Sequence, residues 1–585
     1  MKQTERAVGR PQEADRHEEA GRHPEPIPRI GEGSRRIWTA VAALLVFAAS
    51  WAPAEQHATL TVLFTSDMHA NVLPFDDVRE KPTSGSVAQV ATLVARVRDG
   101  NPSVVVLDGG DAIQGTPLGY YAIAASGATG VDPTIAAMNL VGYDAAVLGN
   151  HEFNFGLDVL RRSLEQSRFR WLAANISGIG EARLPVAAEV VLKRGAVRVG
   201  VLGLTNPNIP RWEVPSHWAA LTFADPVTVA AARVPELRKR ADIVIVVLHT
   251  GFERNLDTGA PEGSEDENYA WRLAQLDGID LLLTGHTHRN VPPRALGRTI
   301  VAQPGRWAEF VTRIDLELAR KNRAWRVTGW HGENLKAGGE TPDPQVVAAV
   351  AGAEERVKAE FARPIGALTA PLRVTSLPTA DDPSVDIIHA VQLEASGAEL
   401  SLAAPLRGGQ VEFPSGPVTP RLAYALYPYP NTLVVVHLTG SQLRDVLEHA
   451  VRGWVGTECG RAETRLLRDP TLPPYNYDTL EGATYFVDPT VPAGRRIHGL
   501  RVAGKAVQAE DSFAVVINSY RAAGGGGYPH LAGAPRVAEI DRSMVDLLVE
   551  YFTRHERITP ATDENWSFTV PLREALAPRA AVAVQ

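Results

Sequence analysis

Residues 60–69 read LTVLFTSDMH, an apolar run of strand length that ends in two potential metal ligands, Asp67 and His69. Residues that favour β-strands make up the run, and polar side chains follow it at once. Buried strands that end in this way are typical of an α/β fold, in which ligands bind at the carboxyl edge of the sheet. The stretch therefore predicts both the fold class and the place of the site.

Five further stretches repeat the pattern of an apolar run followed by Gly, Asp, Asn or His. They are SVVVLDGGD (103–111), DAAVLGNHE (144–152), AVRVGVLGLTN (196–206), ADIVIVVLHTG (241–251) and IDLLLTGHTH (279–288). Helical spacing of apolar residues occurs between several of them, for example at 87–97 and 159–166. We therefore predict one sheet covered by helices, with the polar groups converging at its edge.

The composition is that of a globular protein with more than one domain. The chain has 585 residues, more than one hydrophobic core usually supports. Its formal net charge of -8 gives no overall attraction to nucleic-acid polymers or anionic membranes. With Cys459 as the single cysteine, neither an intramolecular disulfide nor a multi-cysteine zinc site can form. Any metal must therefore be held by His, Asp, Glu or Asn.

The amino terminus predicts an exported protein. Residues 1–36 are polar and charged without apolar periodicity, which indicates disorder. Arg35 and Arg36 then precede an apolar run that ends in small residues at Ala54, so residues 37–54 have the form of a signal peptide. The run is shorter than the ~20 apolar residues of a spanning helix, and an uncleaved membrane anchor is the alternative. We expect a periplasmic or secreted protein.

A change of pattern near residue 338 predicts a domain boundary. GGETPDP (338–344) reads as a loop, and 345–361 has helical spacing without proline. Beyond 364, strands mix with helices and with long loops rich in Pro and Gly. We predict a catalytic domain at 58–338, a linker helix within 339–363 and an α+β domain at 364–575.

The polar residues at the strand ends predict a metal centre. They are Asp67, His69, Asp111, Asn150, His151, His249, His286 and His288. Oxygen and imidazole donors without thiolate suit Zn, Mn, Fe or Co. The set is too large for one four-coordinate site but fits two metals that share a carboxylate. Such a pair holds phosphoryl oxygens and activates water, which leaves an adjacent imidazole such as His151 free to bond the phosphate.

The order of five short motifs resembles that of the calcineurin-like dinuclear metallophosphoesterases. These motifs are DMH, GGD, GNHE, LHTG and GHTH. Together with YPYPN (427–431) and NSYRAAGGGGYP (518–529), they resemble the two-domain exported 5'-nucleotidase family from about 58 to 575. The resemblance implies a four-layer α/β/β/α sandwich followed by a smaller α+β substrate-binding domain. It implies two divalent metals, one on Asp67, His69, Asp111 and His288, the other on Asp111, Asn150, His249 and His286. Asp111 would bridge them and His151 would contact the phosphate.

The resemblance also implies how a small-molecule nucleotide is bound. Tyr429 and Tyr520 match the two aromatic residues that sandwich the base in this family, and stacking of this kind tolerates any base. Arg407, Arg521, Gly524 and Gly525 match further substrate-binding positions. We expect neither a nucleic-acid polymer nor, beyond the signal segment, a membrane as partner.

Three departures from the 5'-nucleotidase pattern bear on the substrate. Asn154 stands where an Asp would orient His151, LAAPLRGG (402–409) keeps Arg407 but lacks an Asn, and Gly526 replaces an acid that would hold free ribose hydroxyls. With YNYD (475–478), these features resemble the 2',3'-cyclic-nucleotide 2'-phosphodiesterase/3'-nucleotidase branch, in which the 2' and 3' oxygens face the metals.

The preferred hypothesis is therefore opening of 2',3'-cyclic nucleotides and removal of the 3'-phosphate by a dimetal-bound hydroxide. His151 and its partner Asn154 would be the catalytic residues. A 5'-nucleotidase or UDP-sugar hydrolase is the alternative within the enzymes. A catalytically silent nucleotide-binding surface protein is the alternative outside them.

Overall fold

The computed structural model describes residues 56–573 apart from 124–129, 263–266, 322–323, 376–378, 407–410, 460–462, 470–471 and 570–571. The predicted disordered region, the signal segment and Arg407 lie outside these residues, and so does the side chain of Cys459. Within the described part of the chain, no helix is both long and apolar enough to cross a membrane.

The strands up to residue 336 are short apolar runs joined by polar loops. In chain order they are β1 Gln56–Thr65, β2 Phe75–Asp76, β3 Lys81–Pro82, β4 Val104–Asp108, β5 Ala145–Val147, β6 Arg170–Leu172, β7 Ile176–Ser177, β8 Val186–Ala187, β9 Glu189–Arg194, β10 Val197–Leu204, β11 Thr222–Phe223, β12 Ile243–Leu248, β13 Leu281–Thr284, β14 Asn290–Leu296, β15 Thr299–Pro304, β16 Phe310–Lys321 and β17 Ala324–Lys336. All six stretches with the repeated pattern form strands, as predicted.

Two sheets lie face to face at the centre of this part. One has the order β17-β16-β1-β4-β5-β6-β8 and the other β14-β15-β13-β12-β10-β9. Strands β1, β4, β5, β6 and β8 run parallel to one another, as do β10, β12, β13 and β15, whereas β9 and β14 pair antiparallel at the edges of the second sheet. Val62 and Phe64 of the first sheet belong to the same buried cluster as Val199 and Ile245 of the second. Apolar packing between the sheets therefore forms the central core.

Helices form the outer layers. Those of the described residues are α1 Val87–Arg98, α2 Pro117–Ile123, α3 Pro133–Val141, α4 Gly156–Glu165, α5 Pro226–Arg238, α6 Ala270–Ala274, α7 Pro344–Ala362, α8 Pro383–Ser396, α9 Pro420–Leu426, α10 Gly440–Ala450, α11 Ser519–Ala522 and α12 Met544–His555. Short 3-10 turns occur at His151–Phe153, Ile209–Arg211, Pro215–His217, Pro474–Asn476 and Gly525–Gly527. Helices α1, α3 and α7 cover the first sheet, and α5 and α6 cover the second. The four-layer α/β/β/α sandwich is thereby confirmed.

Four of these helices begin with the same dipeptide. An Asp-Pro pair starts α3, α5, α7 and α8, and in each the carboxylate accepts from backbone N–H groups of the first turn. Proline at the first helical position has no N–H that would need a partner there. The sequence thus fixes these helix starts locally.

The prediction of a single sheet was wrong. Strands β1, β4 and β5 belong to the first sheet, whereas β10, β12 and β13 belong to the second. Strands of both sheets are buried on both faces, so their apolar composition does not indicate which sheet they join. The site therefore forms where the carboxyl ends of strands from two stacked sheets meet.

Helix α7 occupies the predicted linker. Val346, Val350, Ala353 and Val357 form one buried stripe at helical spacing and pack in the cluster outside the first sheet. The helix is thus part of the wall of the amino-terminal sandwich. The boundaries at 338 and 364 stay predictions.

The carboxy-terminal part is α+β. Its strands are β18 Gly366–Leu368, β19 Leu372–Val374, β20 Leu400–Ala403, β21 Val411–Phe413, β22 Gly416–Val418, β23 Leu433–Thr439, β24 Trp454–Cys459, β25 Glu463–Arg468, β26 Thr479–Glu481, β27 Ala483–Val487, β28 Ile497–Val502, β29 Lys505–Ala506, β30 Ser512–Asn518, β31 Arg536–Ile540, β32 Arg557–Ile558, β33 Trp566–Phe568 and β34 Leu572–Arg573. The five-stranded sheet β26-β20-β30-β23-β31 lies between two apolar clusters, which α8 and α12 complete on one face and α10 on the other. Tyr429 and Tyr520 follow α9 and β30, at the edges of this core.

Candidate metal centre

The loops that follow the central strands bring the predicted ligands together. Potential ligand atoms of Asp67, His69 and His288 lie within 4.8 Å of one another, and so do those of Asp111, His249 and His286. Asp111 also groups with His69 and His151, so it lies between the two sets. Asn150 joins the second set, with its Oδ1 2.9 Å from His286 Nδ1.

In the first set, two imidazoles face each other. His69 Nε2 lies 2.9 Å from His288 Nε2, and His69 Nδ1 lies 3.0 Å from the carbonyl oxygen of Gln114. Because a carbonyl only accepts, Nδ1 of His69 carries the proton and its Nε2 presents a lone pair. Burial, with the charge of His288, lowers the pKa of His69 to about 3. His69 is therefore a neutral imidazole, the form that binds metal.

In the second set, one buried nitrogen has no hydrogen bond. His249 Nδ1 donates to the Gly109 carbonyl oxygen at 2.6 Å. Its Nε2 lies 3.1 Å from Asp111 Oδ2 and makes no hydrogen bond to any described residue. Burial lowers the pKa of His249, but the charge of Asp111 outweighs it and raises that pKa to about 10. A buried nitrogen and a carboxylate in this arrangement fit a shared divalent metal.

His286 is held by a carboxylate that the sequence analysis missed. Glu267 Oε1 lies 2.8 Å from His286 Nε2, while the Nδ1 of the same ring faces Asn150. The ring of Trp212 stacks on it at 5.1 Å and 25°. A carboxylate on the far nitrogen fixes the orientation of a metal-binding imidazole. Glu267 belongs to none of the recognised motifs, so no sequence signal indicated it.

The ligand loops have an uncommon backbone. Two glycines show how closely the loops approach, since a Cβ added at Gly149 would lie 2.2 Å from Asp111 Oδ1, and one at Gly285 2.2 Å from Ser66 Oγ. Five non-glycine residues of the predicted site have φ in the left-handed region, namely Asp67 (54°), His69 (50°), Asp111 (56°), His286 (70°) and His288 (57°). Such conformations cost of order 1–3 kcal/mol each and cluster at functional sites.

Glu152 connects two of the ligand loops. Its carboxylate is fully buried and accepts from the backbone N–H groups of Gly149 at 2.6 Å, Asp111 at 2.8 Å, Ala112 at 2.6 Å and Ile113 at 3.3 Å. It thereby fixes the loop that carries Asp111 against the loop that carries Asn150 and His151. No motif in the sequence indicates this role, because it depends on a loop some forty residues away.

His151 lies beside the ligands without joining either set completely. Its ring is edge-on to His69 at 5.1 Å between centres, and its backbone N–H donates to Asp111 Oδ1 at 2.8 Å. Its Nδ1 lies 2.7 Å from Asn154 Oδ1, as the predicted pairing requires. Asn154 Nδ2 in turn donates to Glu213 at 2.5 Å, a contact the sequence did not indicate.

The predicted base-binding tyrosines interact electrostatically with Tyr475 and with Glu267. Burial raises the pKa of Tyr520 to about 12, and the charges of Glu267 and Tyr429 add to the increase. Burial likewise raises the pKa of Tyr475, with further increases from Tyr520, Tyr429 and Glu267. The charges of Tyr429, Tyr520 and Glu267 thus act on Tyr475, and Glu267 is the carboxylate that bonds His286.

Arg521 is placed differently from its predicted role as a substrate contact. It is 1% exposed, and its guanidinium bonds the Asp478 carboxylate at 2.8 Å, the carbonyl oxygen of Gly525 at 3.0 Å and that of Tyr475. It also lies 5.4 Å from the centre of the Tyr520 ring. A buried cation needs such partners, and they leave it supporting the loop around Tyr520. The ion pair between Asp478 and Arg521 thus joins segment 475–478 to segment 520–527.

Gly525 and Gly526 lie close to neighbouring side chains. A Cβ added at Gly525 would lie 2.5 Å from three carbons of the Tyr520 ring, so this glycine packs on the ring. Gly524 and Gly526 have φ of 104° and 77°. A Cβ at Gly526 would lie 2.5 Å from Arg521 Nη1 and 2.6 Å from Asn476 Oδ1. An acidic side chain at 526 would therefore require the Arg521 and Asn476 side chains to shift, in addition to the positive φ.

Known proteins share both halves of this arrangement. Residues 60–290 match the family described as calcineurin-like phosphoesterase, and residues 364–533 match the 5'-nucleotidase, C-terminal domain. Together the fold, the ligand cluster and the first match define a metal-dependent phosphoesterase, a class that requires divalent metal ions.

Relatives align over nearly the whole chain. A Yersinia enterocolitica protein named 2',3'-cyclic-nucleotide 2'-phosphodiesterase/3'-nucleotidase is 28% identical to this chain. The alignment covers 87% of this chain and 87% of the length of that protein. A Bacillus subtilis trifunctional nucleotide phosphoesterase protein is 30% identical over 87% of this chain, which spans 39% of that relative. A Staphylococcus aureus structure is provisionally described as a 5'-nucleotidase in complex with alpha-ketoglutarate. It is 26% identical to this chain with a TM-score of 0.78, and the match covers 87% of this chain and 100% of the chain in that structure. The chain belongs to the calcineurin-like phosphoesterases with a 5'-nucleotidase carboxy-terminal domain, a family of nucleotidases and nucleotide phosphodiesterases.

Proposed function

We propose that this enzyme opens 2',3'-cyclic nucleotides and then removes the 3'-phosphate. The observation that carries the proposal is the loop at Gly526, where a φ of 77° and the close side chains of Arg521 and Asn476 disfavour an acid that would bind free ribose hydroxyls. When the 2' and 3' oxygens of a substrate face the metals, they are not free to bind such an acid. The activity named for the Yersinia enterocolitica relative supports the same choice.

The two reactions have the same chemical requirement. Water adds to phosphorus and the P–O2' bond breaks, so the 2' oxygen takes a proton and a 3'-phosphate remains. A second water then breaks the P–O3' bond and releases phosphate and the nucleoside. Each leaving group is a ribose alkoxide that needs a proton or a hydrogen bond as it departs. One site can therefore perform both steps.

The residues divide this work as follows. We assign one metal to Asp67, His69, Asp111 and His288 and a second to Asp111, Asn150, His249 and His286, and the donor set accepts Zn, Mn, Fe or Co. When bound, these ions supply charge neutralisation and an activated water. His151, with Nδ1 bonded to Asn154, directs its other nitrogen to the phosphoryl group and the departing oxygen. Tyr429 and Tyr520 bind the base, and Gly525 supports the Tyr520 ring.

Phosphate release from matched 2',3'-cAMP, 3'-AMP and 5'-AMP tests the substrate assignment. With added Mn or Zn, we expect the first two to be hydrolysed with higher kcat/KM than 5'-AMP, because the loop at 524–527 offers no acid to ribose hydroxyls. Preference for 5'-AMP would replace this assignment with the alternative. Absence of turnover for all three would favour a nucleotide-binding protein.

A 5'-nucleotidase is the second candidate. The Staphylococcus aureus structure covers 87% of this chain and is provisionally described as a 5'-nucleotidase. A UDP-sugar hydrolase would use the same 5'-side presentation of the phosphate.

Replacing either base-binding tyrosine should discriminate between nucleotides and simple diesters. Because stacking contributes roughly 1–3 kcal/mol, we expect Tyr429→Ala and Tyr520→Ala to lower kcat/KM for the preferred nucleotide by about 5–150-fold. Bis(p-nitrophenyl) phosphate has no base, so its hydrolysis should change little. Equal losses on both substrates would instead give the tyrosines a structural role.

Export stays a proposal that depends on Arg35, Arg36 and the apolar run that follows them. The signal segment at 37–54 would be removed, which leaves a periplasmic or secreted enzyme.

A further inference from the structure

Four side chains form a continuous hydrogen-bonded series that starts at His151. His151 Nδ1 lies 2.7 Å from Asn154 Oδ1, Asn154 Nδ2 donates to Glu213 Oε1 at 2.5 Å, and Glu213 Oε2 lies 2.9 Å from His217 Nδ1. The Glu213 side chain is only 11% exposed. A carboxylate therefore stands one amide away from the imidazole, at a position that none of the motifs includes.

The chemistry of these groups fixes the direction of every bond. A carboxylate only accepts, so Asn154 must turn its NH2 group to Glu213 and its Oδ1 to His151. An oxygen in that place accepts a hydrogen bond from the N–H group at Nδ1, which fixes the ring so that Nε2 faces the departing oxygen. With the amide turned over, its N–H would face Nδ1 and prevent that arrangement.

Glu213 is itself held rigidly. It lies between the 3-10 turns at 209–211 and 215–217, and Trp218 Nε1 donates to its backbone oxygen at 3.0 Å. Gly156, with φ of 78°, lets α4 begin close to the His217 ring, since an added Cβ would lie 3.4 Å from that ring. The series thus joins the His151 loop to the separate segment 209–218.

We propose that Glu213 is a positioning residue, which acts through Asn154 to hold His151 in the orientation that serves the leaving oxygen. Through its hydrogen bond to Asn154, Glu213 provides the carboxylate that an Asp at position 154 would provide directly. The inference rests on the proposed role of His151. It goes beyond that role by naming the group that determines how the asparagine and the imidazole are turned.

Exchanging the carboxylate and the amide tests the proposal. Glu213→Gln should lower kcat by about 10–100-fold, with KM and metal content unchanged, because its amide no longer dictates how Asn154 turns. Asn154→Asp alone sets two carboxylates against each other and should also be slow. The double variant Asn154→Asp/Glu213→Gln restores one acceptor toward His151 and one donor behind it, so it should recover most of the native kcat. A double variant no faster than the slower single variant would overturn the proposal.

The choice of substrate separates positioning from a general structural role. The assay uses whichever of 2',3'-cAMP, 3'-AMP and 5'-AMP the native enzyme hydrolyses fastest, so a wrong substrate assignment does not affect it. Bis(p-nitrophenyl) phosphate releases a group that needs no proton, so Glu213→Gln should slow it less than the nucleotide. Equal slowing of both substrates would contradict the proposal.

Two further variants complete the experiment. Glu236→Gln makes the same change at an exposed residue of α5 that pairs with Lys239, and it should keep the native rate. His151→Ala distinguishes failure of the proposed role of His151 from failure of the proposed role of Glu213. If it keeps the native rate, the proposed function of His151 fails and Glu213 loses its role with it. If it is slow and the double variant is not restored, only the role of Glu213 is refuted.

Discussion

Replacing His151 by alanine is expected to lower kcat for the preferred nucleotide by about 10²–10⁴-fold while metal content stays unchanged. The ring lies 5.1 Å from that of His69, with Asn154 on its Nδ1, so it is close to the ligands and oriented by a neutral partner. The hydrogen bond from His151 to Asp111 comes from the backbone N–H group, which alanine retains. The loss should therefore fall on the chemical step, and steady-state kinetics with elemental analysis of the purified variant measures both parts.

A matched substitution separates this effect from loss of any histidine. His331 is exposed on β17, away from the ligand loops, and His331→Ala should leave rate and metal content unaltered. Loss of one metal equivalent in His151→Ala would make His151 a ligand and refute its assignment to the phosphate. A native rate would remove it from the reaction altogether.

The sequence predicted the positions of the ligands better than their surroundings. Each ligand follows a recognisable strand, so Asp67, Asp111 and His249 were found from local pattern alone. Their backbone was not predictable, because nothing in the residue types Asp and His indicates the left-handed φ of 54° at Asp67 or 56° at Asp111.

The residues that the sequence analysis missed are those whose role depends on tertiary contacts. Glu267 bonds His286 and Glu213 bonds Asn154, yet both lie in segments without a motif. Arg521 was identified, but its burial against Asp478 gave it a supporting role in place of contact with the substrate. A pattern along the chain indicates which residues bear chemistry. It does not indicate which other residues orient them.

Glu152 is expected to show the largest effect on stability among the residues of the site. Its carboxylate accepts four backbone N–H bonds from two loops, and the environment is fully buried. In Glu152→Gln, the amide N–H group would face N–H donors and leave some of them without a partner. Each such donor costs about 1–3 kcal/mol, and we expect the free energy of unfolding to fall by on the order of 4 kcal/mol.

The same substitution should also remove metal, because the loop that Glu152 holds carries Asp111, which lies between both ligand sets. Denaturant unfolding gives the stability change, and elemental analysis of the folded variant gives the metal content. Glu253→Gln is the matched comparison: Glu253 is 1% exposed and accepts from the backbone N–H groups of Trp271 and Arg272, which carry no ligand. It should lose stability and keep its metals. Full metal occupancy and native rate in Glu152→Gln would show that Asp111 is positioned without this carboxylate, and the ligand loops would then have to be held by their own backbone conformation.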